Sequence, residues 1–160
     1  MKKKSPKTKK KDAPAHAPRT QYAALPWRIG EETGVEICLA TSRDTKRWVI
    51  PKGWPMKGRK PHIVAAIEAA QEAGLQGKIE KTKLGEFDYE KRLQGGAAVD
   101  CRVEVFPMRV ARQRKKWPER GQRVTYWFPY AVAAGQVDEP QLRELILAFG
   151  HAVTKGERQA

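Results

Sequence analysis

Residues 51–75, PKGWPMKGRKPHIVAAIEAAQEAGL, run a glycine- and lysine-rich loop straight into an alanine-rich segment that opens on Pro61 and closes on Gly74. The fixed φ of proline suits a first helical position, and glycine suits the left-handed residue that ends a helix. A helix is therefore predicted from about Pro61 to Ala73. At about 100° per residue, Ile63, Ala66, Ile67 and Ala70 form one apolar stripe, expected to pack on a sheet. Glu68, Gln71 and Glu72 share a different face. Two like charges at i,i+4 weaken an isolated helix by about 0.2–0.5 kcal/mol. Neither acid has a base one turn away, because Val64 and Gln76 occupy those positions. The pair is either idle on a solvated face or held for a cation. The alanines between them allow close approach of other backbone. The Gly/Lys loop beside a short strand is also how chains cradle phosphate.

Strands surround this unit. Gln21–Arg28 reads as a strand interrupted by Pro26, Val35–Thr41 as an alternating strand, and Arg47–Ile50 as a short one ended by Pro51. Lys78–Leu84, Gly85–Leu93, Ala98–Val110 and Val124–Phe128 extend the series. Pro107 within the long run suggests a sheet edge or a bulge. Ala131–Gly135 reads as a short helical turn. Pro140 opens a second good helix, whose Leu142, Leu145, Ile146 and Phe149 recur at helical intervals and whose end is expected at Gly150. Periodicity alone thus predicts a mixed α/β chain.

The loop and first helix resemble the Nudix box, a pattern of Gly, five residues, Glu, seven residues, Arg-Glu, an apolar residue, any residue, Glu-Glu, any residue, Gly and an apolar residue. Gly53, Glu68, Ala69, Glu72, Gly74 and Leu75 match it without a gap. Three positions depart. Arg59 replaces the first Glu, Ile67 the Arg, and Gln71 the first of the paired Glu. The entry Trp48–Gly53 is similar to that of the diphosphoinositol-polyphosphate and dinucleoside-polyphosphate branch. The resemblance covers roughly residues 20–150 and implies the Nudix α/β/α sandwich around a mixed sheet. It further implies Mg²⁺- or Mn²⁺-dependent hydrolysis of a phosphoanhydride in a polyphosphorylated small molecule.

On that resemblance Glu68 is the expected catalytic carboxylate, and Glu68, Glu72, Gly53 through its carbonyl and Gln71 are the expected metal ligands. Mg²⁺ takes oxygen ligands at about 2.0–2.1 Å and keeps several waters, so two carboxylates and a carbonyl suit it. Gln71 retains an oxygen but not a charge. Lys52, Lys57 and Arg59, with Arg28 and Arg47 from neighbouring strands, are the expected phosphate-binding cations, although each is also compatible with a solvated basic surface. Glu119 is a further candidate acid. Trp117, inside the basic cluster Arg112–Arg123, either stacks on a base or tucks onto the domain.

Charge widens the choice of partner. The formal net charge is +14, which favours polyphosphate, nucleic acid or another anionic surface. Residues 1–20 hold seven Lys and one Arg against one Asp, or half of that charge. With three prolines and little to bury, they are expected to form a disordered arm able to contact nucleic acid. Residues 21–153 are the expected domain and 154–160 a tail. No apolar run reaches the roughly 20 residues of a membrane-spanning helix. Cys38 and Cys101 lack metal-ligand spacing and suit buried thiols in a reducing cytoplasm. His16, His62 and His151 are scattered and read as surface residues. Two other functions stay open beside the hydrolase: a Nudix-like polyphosphate-binding module with weakened catalysis, and a basic nucleic-acid-associated protein.

Overall fold

A computed structural model describes residues 17–158. Eight strands form one mixed sheet: β1 (Arg19–Gly30), β2 (Gly34–Thr41), β3 (Trp48–Val49), β4 (Lys52–Gly53), β5 (Leu75–Ile79), β6 (Gly85–Arg92), β7 (Ala98–Gln113) and β8 (Thr125–Pro129). Among the described residues three helices cover it: α1 (Pro61–Ala73), α2 (Tyr130–Gln136) and α3 (Pro140–Thr154). The pair β1–β7 is parallel, with Ala24 opposite Phe106, and the other pairings are antiparallel.

Successive side chains of a strand point to opposite faces. Ala23, Leu25 and Trp27 of β1, Ile37 and Leu39 of β2, and Val103 and Val105 of β7 therefore face one side, where they bury α2 and α3 through Ala133, Leu142, Ile146 and Phe149. Ala24, Cys38, Phe106 and Met108 face the other side and bury α1 through Ala65, Ala69 and Ala73. The result is the expected α/β/α sandwich. Covering both faces makes the middle of β1 continuously buried rather than alternating. Each fully buried Leu, Ile or Phe in these layers contributes about 1.5–3 kcal/mol.

The predicted bounds of α1 are observed, with Gly74 at φ +71 closing it. Its packing face is not the predicted one. His62, Ala65, Ala69 and Ala73 are buried, whereas Ile63, Ile67 and Ala70 are half-buried. The alanine edge lets the helix axis lie close to the sheet, and that rotation carries Glu72 inward. His62 is accordingly a buried residue beside the Phe106 ring, not a surface one.

Pro107 is neither at an edge nor in a bulge. It lies in the interior strand β7, and its carbonyl accepts from Glu80 N at 2.9 Å. Its missing N–H points to the same side, into the gap where β5 ends and β6 has yet to begin. The strand expected over Lys78–Leu84 breaks there: β5 stops at Ile79, and Leu84 N rejoins at the Val105 carbonyl, 2.7 Å away.

Gly150 does not end the last helix, which continues to Thr154. A Cβ on Gly150 would enter the Tyr130 ring, so this glycine admits a neighbouring aromatic instead. Arg19 and Thr20, assigned to the arm, belong to β1 opposite Cys101 and Arg102. Residues 1–16 of that arm, His16 among them, lie outside the described residues. In the expected tail, Arg158 makes two hydrogen bonds to the Glu80 carboxylate, at 2.7 and 2.9 Å. Cys38 and Cys101 are buried free thiols.

Candidate active site

Strand β4 pairs with β1 through Tyr22–Gly53 and Ala23–Lys52, which sets the Gly53 backbone against the side of α1. The approach requires glycine: a Cβ there would overlap the Glu68 carboxyl group. Glu68 and Glu72, one helical turn apart, line a cleft of about 390 Å³ together with Lys52, Gly53, Gln71 and Arg47. Its outer wall comes from Arg43, Asp44 and Thr45 before β3 and from Glu90, Lys91 and Arg92 of β6. Acids on α1 thus face a predominantly cationic opposite wall.

The two carboxyl groups interact directly. Burial raises the pKa of Glu68 above the usual carboxylate range, and its hydrogen bond with Glu72 opposes that rise. Burial raises Glu72 also; Arg123 opposes the rise, and the adjacent Glu68 adds to it. Two buried acids in contact favour sharing a proton over ionising together, unless a cation offsets their charge. Lys52 shifts down, chiefly through burial, with Glu72 opposing. Its ammonium lies 4.9 Å from the centre of the Tyr89 ring, and the Tyr89 hydroxyl donates to Gln21 Oε1 at 2.6 Å.

The remaining predicted cations part company. Arg47 reaches the cleft while donating to Glu139 at 2.6 Å. Arg28 does not line it. Its guanidinium donates to Glu36 at 2.7 Å and stacks 4.0 Å from the centre of the Trp127 ring. Lys57 and Arg59 are exposed on the loop before α1, outside the lining. Trp117 tucks onto the domain: it lies over Gly74, and its indole N–H donates to the Glu72 carbonyl at 3.2 Å.

Arg123 and its partner Glu119 also line the cleft. Arg123 Nε donates to Glu119 at 2.7 Å, and Gln71 Nε2 donates to the other Glu119 oxygen at 3.2 Å. Burial would raise the Glu119 pKa, but these hydrogen bonds hold it below the ordinary value. The sequence marked Arg123 only as one of many bases in a loop. Its four-residue spacing from Glu119 was the one available signal.

The Gly53 cradle and the contacting carboxyl pair fit a divalent cation held by Glu68, Glu72 and the Gly53 carbonyl. Among the described residues no cluster of three or more His, Cys, Asp or Glu side chains suits a metal. A hard cation here would depend on water and substrate oxygens for its remaining ligands.

No protein-family model matches the chain. The chain is 25% identical over 134 residues to Nudix hydrolase 21, chloroplastic, of Arabidopsis thaliana, covering 82% of this chain and 66% of that protein. It is 26% identical over 124 residues to Nudix hydrolase 12, mitochondrial, of the same plant, covering 68% and 61%. The chain therefore spans less than two thirds of the length of either curated relative. The crystal structure of C. elegans Ap4A hydrolase superposes with a TM-score of 0.62 at 13% identity, covering 86% of this chain and 99% of that one.

The fold is that of the Nudix hydrolases. The named relatives are similar to this chain in sequence at 25% and 26% identity. The segment that resembles the Nudix box contains α1, and Glu68 and Glu72 on it line the cleft. The departures Ile67 and Gln71 occupy different environments: Ile67 is half-buried beside the alanine edge, and Gln71 is hydrogen-bonded to Glu119.

Proposed function

We propose that this chain is a divalent-metal-dependent Nudix pyrophosphohydrolase that cleaves a phosphoanhydride in a nucleoside or inositol polyphosphate. The observation that carries the reading is the contacting Glu68–Glu72 pair, set against the Gly53 backbone in a cleft whose opposite wall is cationic. Named hydrolase relatives support action on acid anhydrides, and the Ap4A hydrolase likeness supports a polyphosphate substrate.

Bound Mg²⁺ or Mn²⁺ would neutralise phosphate charge and lower the pKa of an attacking water. The protein's own groups divide the remaining tasks. Glu68 and Glu72 would hold the cation, and the Gly53 carbonyl would add an uncharged oxygen. Glu68, the less buried of the two acids, would orient the attacking water and take its proton. Lys52 and Arg47 bind phosphate oxygens on the opposite wall, and Arg43, Lys91 and Arg92 extend that cationic surface outward. Trp54, also in the lining, supplies an aromatic face for the non-phosphate part of the substrate.

The reading is tested with nucleoside, dinucleoside and inositol polyphosphates, with Mg²⁺ or Mn²⁺, scored for phosphate release from the unaltered protein and from Glu68→Gln and Glu72→Gln. Glu68→Gln is expected to cut turnover at saturating metal, and Glu72→Gln to weaken metal binding. Variants that hydrolyse the best substrate like the unaltered protein would refute the assignment. A second reading, a Nudix-like binding module without turnover, is favoured by the loss of a box carboxylate at Gln71. It predicts polyphosphate binding without phosphate release. Cytoplasmic placement belongs to this proposal and rests on the two buried thiols. No helix among the described residues is long and apolar enough to cross a membrane.

A further inference from the structure

Arg123 sits between two carboxylates, those of Glu72 and Glu119. Its side chain is 9% exposed, and those of Glu72 and Glu119 are 9% and 11% exposed. Nε lies 2.7 Å from Glu119, and Nη2 lies 3.9 Å from Glu72. The remaining terminal nitrogen, Nη1, donates to the Thr41 carbonyl at 3.1 Å. The guanidinium is therefore bound on three sides: by a loop acid, a box acid and the end of β2.

The surrounding backbone keeps it there. Glu119 N donates to the Gln71 carbonyl at 3.1 Å, which ties the loop to the last turn of α1. Val124 N donates to Thr41 Oγ1 at 2.9 Å, and Thr41 N donates to the Val124 carbonyl at 2.9 Å, so the residue after Arg123 is fastened to β2. Gln71 completes the arrangement by donating to Glu119 from the helix side. A buried charge survives only when paired and hydrogen-bonded. Each buried acid here is neighboured by Arg123, and Arg123 by both.

We propose that Arg123 is a resident cation of this cluster: its guanidinium holds Glu119 and screens Glu72, filling a position that a divalent ion would otherwise take, so the site binds one fewer ion. The inference rests on the reading of Glu68 and Glu72 as a cation site. It also assigns Gln71 a task. A carboxylate there would face Glu119 without a proton to donate, whereas the amide supplies one and leaves Glu119 committed to Arg123. The departure at position 71 and the arginine at 123 thus form one compensating pair, joined through Glu119.

The test is Mn²⁺ uptake by the full chain, followed by calorimetric titration and by the electron paramagnetic resonance signal of free Mn²⁺, with no substrate present. Arg123→Gln is expected to bind one more Mn²⁺ per chain than the unaltered protein. Its melting temperature is expected to fall without metal and to recover more on adding Mn²⁺. Unchanged or reduced uptake by a folded Arg123→Gln would overturn the proposal. Glu119→Gln keeps the question open to decision if Arg123→Gln does not fold. With Glu119 engaged by arginine rather than metal, this variant is expected to bind the same number of Mn²⁺ ions as the unaltered chain. Loss of an ion in Glu119→Gln would make Glu119 a metal ligand and sink the idea. If the unaltered chain binds no Mn²⁺ at all, the cation-site reading falls as well, a result distinct from unaltered binding with no gain in Arg123→Gln.

Discussion

Gln71 and Glu119 meet across the junction of α1 and the loop after β7, with the amide of Gln71 donating to the Glu119 carboxylate at 3.2 Å. The loop backbone is joined at the same place, through Glu119 N and the Gln71 carbonyl. Gln71 therefore fastens a loop instead of adding a charge to the cleft.

Gln71→Glu would convert that hydrogen bond into a contact between carboxylates. Loss of the bond and the new repulsion are expected to lower stability by about 1 kcal/mol without metal. Part of that loss should return with Mg²⁺, since a divalent ion offsets the added charge. Thermal melts with and without Mg²⁺ check this. A variant as stable as the unaltered chain in the absence of metal would contradict it.

Gly53→Ala places a methyl group against the Glu68 carboxyl group. Glu68 must move, so phosphate release should fall while the sheet survives. The group that must move is the far end of a flexible side chain, so little stability should be lost. Turnover on the best polyphosphate and a denaturant titration measure the two effects separately. Retained turnover would separate Glu68 from the chemistry.

Gly150→Ala reverses an ordinary expectation. Alanine in a helix interior is usually favoured over glycine by about 1 kcal/mol. At this position the new methyl group enters the Tyr130 ring. A net destabilisation is predicted, read as a lower denaturation midpoint. Increased stability would mean that α2 shifts away at little cost.

Glu36 carries the acid-side prediction. Burial alone would raise its pKa, but hydrogen bonds from Thr33 and Arg28, with the arginine charge, bring it below the ordinary value. Because the folded pKa is the lower one, the contribution to stability is full above the unfolded value, about 4.3. It is lost as pH falls through the folded value. Stability measured through the acid range should decline less steeply in Glu36→Gln than in the unaltered chain. Parallel acid limbs would exclude Glu36 from acid unfolding.

The local elements of this protein were legible because their causes are local. Pro61 and Gly74 bound a helix by backbone conformation alone, and the four-residue spacing puts Glu68 and Glu72 on one face in any helix. The unbroken burial of Ala23–Trp27 was less legible, since covering both faces of β1 erases the alternation that marks a strand. Pro107 misled for a related reason: whether a missing N–H is harmful depends on the strand opposite, and here the opposite side is a gap between β5 and β6. The rotation of α1 onto Ala65, Ala69 and Ala73 was decided by how closely a helix can approach a sheet, a property of two surfaces and not of one stripe. The same holds for the site. Sequence alone singled out the two acids and the glycine as candidates, because their spacing matches a motif. Only the folded chain brings Arg123 and Glu119 to those acids, separates Arg28, Lys57 and Arg59 from the cleft, and makes the charge of a basic loop part of an acidic cluster. Charges distant in sequence acquire partners through burial and distance, and both are set by the tertiary structure.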